Sequence, residues 1–146
     1  MILLERGLMG QQASGVYFGV VRRQGRALPQ LAMANRALNT WQRSKELLGE
    51  DIEFLPSGHT RVCYHEQDAD TFDRYAADAR AYGLNLEVLH GRAMFDRFPF
   101  PGREVLAASI SPLDGHASPR LVLAMESGRR TNGRSVRKRR EGAGLN

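Results

Sequence analysis

Two stretches near the start of the chain bring together residue types that can bind a charged or hydroxyl-rich group. The first is Ile2-Leu3-Leu4-Glu5-Arg6-Gly7, a short apolar run ending in a carboxylate. A carboxylate accepts hydrogen bonds and donates none, so at a strand end it can take both hydroxyl protons of a ribose. The second runs from Ala13-Ser14-Gly15 through Gly19 to Val20-Val21-Arg22-Arg23-Gln24-Gly25-Arg26. Small residues there let backbone amides approach a phosphate or the edge of a ring system. The arginines just beyond can hold a carboxylate through two parallel hydrogen bonds. On composition alone the same stretch describes a solvated loop with surface arginines.

The other reactive residue types are scattered. Cys63 is the single cysteine; it has no metal-ligand spacing around it and reads as a small apolar residue of a strand. His59, His65, His90 and His116 show no metal spacing either. No metal site is expected, and no catalytic residue can be named from spacing.

These residues need elements to position them. Met1 to Arg6 reads as a buried strand of the kind found inside a parallel sheet. A loop rich in glycine follows, Gly7 to Gly19. Helical spacing of Leu31, Ala34, Leu38, Trp41, Leu47 and Leu48 predicts a helix over 29–48, opened by Pro29 and stopped by Gly49. Ile52 to Phe54 and Thr60 to Tyr64 read as two strands around the turn Pro56-Ser57-Gly58. A second helix is predicted from Glu66 to Tyr82. Leu86 to Leu89 is a strand, Arg92 to Phe98 a short helix, and Val105 to Ile110 another strand. Ser111 to His116 reads as a loop, and Ser118-Pro119 opens a last helix as N-cap and first residue.

The length of 146 residues allows one ordinary domain. The net charge of +5 invites a nucleic-acid partner, but its distribution argues otherwise. Seven basic residues follow Gly128, from Arg129 to Arg140, opposed only by Glu141. Positions 1–128 hold 14 basic and 15 acidic residues, a net of −1. Binding through the tail therefore stands as the alternative function, and Thr131 to Asn146 has too few apolar residues to fold. No apolar run approaches the ~20 residues of a membrane span. The lone cysteine and the lack of a leader-like opening predict a cytoplasmic chain.

Taken in order, the strand-Glu-Arg-Gly, the Ala-Ser-Gly and the Gly-Val-Val-Arg-Arg-Gln-Gly-Arg stretches resemble the FAD-dependent oxidoreductases of the D-amino-acid oxidase and sarcosine oxidase type. Two later segments join the match. Glu50-Asp51-Ile52-Glu53-Phe54-Leu55-Pro56-Ser57-Gly58-His59 resembles the family's entry into its substrate-domain sheet. Ser111-Pro112-Leu113-Asp114-Gly115-His116-Ala117-Ser118-Pro119 resembles its return to the FAD domain. The resemblance covers residues 1 to 127. It implies an α/β (strictly α+β) fold: a partial FAD-binding Rossmann-like domain over 1–50, part of a mixed-sheet substrate domain over 51–110, a return over 111–127, and a disordered basic tail over 128–146.

The resemblance also implies roles. Glu5 would bind the adenosine ribose, with Arg6 beside it. Ser14 and Gly15 would line the pyrophosphate and flavin loop, and Gly19 would pass close to the flavin ring. Arg22 or Arg23 would lie near the flavin or the substrate carboxylate. The implied reaction moves a hydride equivalent to FAD from the carbon bearing the amine, leaving an imine that hydrolyses. A small amine or amino acid is the implied substrate, and other oxidoreductase subunits are an implied partner class. The family's opening Gly-x-Gly-x-x-Gly turn, which holds the pyrophosphate at a helix N-terminus, is absent from the sequence. The expectation is thus a truncated or frameshifted form that by itself binds FAD weakly and turns nothing over.

Overall fold

The computed structural model describes residues 17–123. The expected strand over 1–6, most of the glycine-rich loop and the basic tail lie outside the described residues.

Every strand pairing among the described residues is antiparallel, which makes this part α+β. Strand β1 (Val20–Val21) starts it. A 3₁₀ turn, Leu28–Gln30, leads into helix α1, Leu31–Gln42. Leu31, Ala34 and Leu38 are the buried side chains of α1, spaced three and four apart along one face. The single helix predicted over 29–48 is instead broken. Arg43 leaves helical geometry (φ −98°, ψ 12°), and a short helix α2, Ser44–Leu48, follows. Gly49, left-handed at φ 79°, closes α2 with its N–H on the Lys45 carbonyl at 2.9 Å.

The strand expected at Ile52–Phe54 does not form. Glu53 adopts φ 56°, and its N–H is taken by the Asp51 carboxylate at 2.8 Å, so the chain turns where a strand would extend. Ile52 still serves the core, at 1% exposure. Strand β2 (His59–Cys63), helix α3 (Glu66–Arg80), strand β3 (Glu87–His90), helix α4 (Gly91–Arg97) and strand β4 (Ala107–Ser111) then build a three-stranded sheet in the order β2-β4-β3. All five residues of the central strand β4 are buried and four are Ala or Ser. Small side chains let a helix approach each face closely. Ala107, Cys63 and Val88 pack under Ala69 and Phe72 of α3. On the other face Ala108 and Leu89 meet Met94 and Phe98. Full burial of each large apolar side chain is worth about 1.5–3 kcal/mol.

Strand β5 (Gly115–His116) lies inside the segment expected to be a loop. It pairs with β1 on one side, Val20 opposite His116 and Val21 opposite Gly115. On its other side Leu55 exchanges both backbone hydrogen bonds with His116, at 2.8 and 3.1 Å. A Cβ on Gly115 would stand 1.9 Å from the Leu55 carbonyl oxygen, so only glycine allows this approach. A helical turn opens at 119–123, with the Val122 N–H on the Ser118 carbonyl. Val21, Leu38, Ile52 and Ala117 form the core between these pieces, flanked by Trp41, Phe54 and Val122.

Candidate functional site

The short β1–β5 pairing delivers Arg23 and Gln24 to Asp114. The Arg23 and Gln24 backbone N–H groups both donate to Asp114 Oδ2, at 2.7 and 3.2 Å. Arg23 Nε donates to Asp114 Oδ1 at 2.8 Å. Asp114 is fully buried, and the Arg23 side chain is 8% exposed. A buried carboxylate needs such a set of donors, because burial without them carries a large desolvation cost. Arg23 Nη1 also donates to Asn35 Oδ1 at 3.1 Å, and Asn35 in turn caps the Tyr82 carbonyl at 2.7 Å.

Gln24 extends the network toward the sheet. Its Nε2 contacts His59 Nδ1 at 2.7 Å and the His59 carbonyl, and its Oε1 accepts from Ser109 Oγ at 3.1 Å. Burial, the nearby Arg22 and, less strongly, Arg61 push the His59 pKa below its usual 6.5, against an opposing pull from Asp114. A neutral His59 can accept from Gln24 at Nδ1. The network pins the turn 22–26 to β2, β4 and the Asp114 loop at once.

Outside that anchor, Arg22 and Arg26 are exposed. Arg22 Nη1 donates to the Gln24 carbonyl at 2.7 Å, and Arg26 Nε to the Arg22 carbonyl at 3.2 Å. Arg22 stands beside a cleft of about 470 Å³ whose walls include Val20, Val21, Leu38, Trp41 and Val122. Apolar walls with cations at hand fit an aromatic ring system that carries partial negative charge at one edge. On that observation the described residues fit part of a site for a large planar cofactor.

Glu5, Arg6, Ser14 and Gly15 lie outside the described residues. Gly19 is placed at φ 78°, where a Cβ would stand 2.2 Å from the Ala117 carbonyl oxygen. The Ala117 N–H donates to the Gly19 carbonyl at 2.9 Å. Glycine is therefore required there by a chain crossing. Arg22 and Arg23, adjacent in sequence, have different environments, one exposed and one buried on Asp114. Asp114, Gln24 and His59 were not expected in the site. Asp114 sits 91 residues from Arg23, and no spacing rule reaches that far. Cys63 is buried as expected, and burial pushes its thiol pKa up. Trp41 is a core flank, tilted against Phe54 at 6.4 Å between ring centres. Among the described residues no three metal-ligating side chains come together. No helix among them is long and apolar enough to cross a membrane.

Comparisons with known proteins place this geometry in context. A family model described as FAD dependent oxidoreductase (DAO) matches residues 1–145, continuing past Gly128 where the motif resemblance stops. No curated protein matches the chain. Glycine oxidase from Geobacillus kaustophilus is similar in structure over 92% of this chain and 39% of its own, at 22% identity and a TM-score of 0.79. L-proline dehydrogenase from P. horikoshii is similar over 88% of this chain and 34% of its own, at 20% identity and a TM-score of 0.75. L-Amino acid deaminase from Proteus myxofaciens is similar over 88% and 30%, at 15% identity and a TM-score of 0.76. At these identities the likeness is one of fold. The chain spans between 30% and 39% of the length of these structures.

Proposed function

The chain belongs to the FAD-dependent oxidoreductase family, and from that premise we propose that it acts in the oxidation of an amine or amino acid at its carbon–nitrogen bond. The observation that carries this reading is the arginine turn 22–26, pinned by Asp114 beside an apolar cleft. When bound, FAD supplies the two-electron oxidant for that chemistry. The residues of the chain would hold and orient. Glu5 would accept from the adenosine ribose, with Arg6 beside it, and Ser14 and Gly15 would line the pyrophosphate and flavin loop. Gly19 lets the chain pass near the flavin ring.

Arg23 is committed to Asp114, so Arg22 is assigned to the substrate carboxylate. Its exposed guanidinium offers a planar fork to a carboxylate's two oxygens. In this reading residues 1–50 and 111–127 belong to the cofactor domain and 51–110 to the substrate domain. The separation of the β1–β5 pairing from the three-stranded sheet supports two units, with Ile52 and Leu55 joining the β1–β5 piece at the boundary.

Titrating the full chain with FAD tests the reading. Trp41 is the only tryptophan and lines the cleft, so its fluorescence reports occupancy. The expected result is weak but saturable quenching; loss of flavin colour when glycine, N-methylglycine, proline or a D-amino acid is added without oxygen would show turnover beyond that expected of the chain by itself. Absence of saturable quenching, with no flavin retained by the chain, would overturn the proposal.

A further inference from the structure

Three arginines converge at the turn, and none has an acidic partner among the described residues. Arg22 is held by the Gln24 carbonyl and Arg26 by the Arg22 carbonyl. Arg61 lies over the Phe72 ring, 5.3 Å from its centre. Each cation is thus oriented by a neutral carbonyl or a ring, which fixes its direction and leaves its charge uncompensated. Arg43 and Arg92 take carboxylate partners, whereas Arg74 is held by the Asp70 carbonyl and Arg97 lies over the Phe98 ring, so what sets this cluster apart is that its cations converge.

Gly25 sits between two of these cations. A Cβ built on it would lie 2.8 Å from Arg61 Nη1 and 3.2 Å from Arg22 Nη1. Both nitrogens therefore face one notch that any other side chain would fill, and they are close enough for one oxyanion to bridge them. The backbone favours the same residue, with Gly25 at φ 77°. Beside the notch is a second cavity of about 480 Å³, lined by Arg61, Gly25, Phe72, Tyr75 and Ser109. Asp68 lines the same cavity without pairing with either arginine. The cavity is roomy enough for the body of a small amino acid, with the notch at its margin for the acid group.

We propose that Arg61 is a second substrate-binding residue, which together with Arg22 and across Gly25 clamps the carboxylate of the substrate. The assignment of the anion to a substrate rests on the reading above; the clamp itself depends only on residues of this chain. The depressed His59 pKa accords with a positive field from Arg22 and Arg61, after the larger effect of burial.

The test is a titration of the full chain, without flavin, with sodium acetate and separately with inorganic phosphate at constant ionic strength. The readout is the arginine side-chain Nε–Hε resonances of Arg22 and Arg61. Acetate is expected to shift both resonances saturably. Arg61→Gln and Arg22→Gln should each weaken binding by about tenfold, the loss of one charge-assisted hydrogen bond. Arg61→Lys should recover only part of it, since a point charge cannot reproduce the fork. Arg36→Gln, an exposed arginine away from the turn, should change nothing. Backbone amide spectra of each variant report whether the fold is kept. Linear, non-saturating shifts, equal loss in the Arg36 variant, or saturation by phosphate alone would overturn the clamp. If acetate binds as expected while FAD does not, the flavoenzyme reading fails and the clamp stands. If FAD binds while acetate does not, the clamp alone fails.

Discussion

Arg23 and Asp114 are bound twice over: the guanidinium of Arg23 donates to one carboxylate oxygen at 2.8 Å, and its own backbone N–H donates to the other at 2.7 Å. This double hold joins two segments 91 residues apart and sets the direction in which the turn after Arg23 leaves the sheet.

Removing one partner leaves the other charge buried and unpaired. Asp114→Asn is expected to destabilise the chain by about 3–5 kcal/mol, measured by urea unfolding. The double variant Arg23→Met, Asp114→Leu should cost less than Asp114→Asn, because no charge is stranded. A double variant as unstable as the single would mean that the backbone bonds to Asp114, not the ion pair, hold the segment.

Two left-handed glycines separate conformational strain from collision. Gly49 at φ 79° has nothing within 4 Å of a Cβ, whereas a Cβ on Gly19 at φ 78° meets the Ala117 carbonyl. Gly49→Ala should cost about 1–2 kcal/mol, the price of left-handed geometry alone. Gly19→Ala should cost clearly more and shift the amide resonance of Ala117. Equal melting temperatures for the two variants would show that the Gly19 crossing relaxes freely.

Gln24, at 1% exposure, satisfies Ser109 Oγ and contacts His59. Gln24→Ala strands these polar groups and should cost about 1–3 kcal/mol by denaturant unfolding. The same variant should raise the His59 pKa if the cavity it leaves admits water, read from the imidazole proton resonances.

His59 also gives the chain a pH dependence. Its folded pKa lies below 6.5, so the unfolded chain binds more protons in the window below that value. The contribution of His59 to stability is complete above pH 6.5 and is lost as pH falls toward the folded pKa. The urea midpoint should therefore drop between pH 7 and pH 5.5 by more in the native chain than in His59→Asn. Parallel curves for the two proteins would remove His59 as the source.

The sequence by itself determined the elements whose apolar pattern is local. Helix α3, the stop at Gly49, the Cys63 strand and the start of the last helix at Ser118-Pro119 were legible because caps, glycines and helical spacing act within a few residues. Motif order along the chain also pointed to the family, since the order survives even where each motif is weak. Tertiary structure decided most of the rest. The two-residue strands β1 and β5 arise from contacts with segments far along the chain, and the left-handed Glu53, held by the Asp51 carboxylate two residues before it, abolishes a strand at Ile52–Phe54. Arg22 and Arg23 are chemically identical neighbours in the sequence. Only the arrival of Asp114 buries one and leaves the other exposed across Gly25 from Arg61, because a carboxylate taken from water must find its donors wherever the fold brings them.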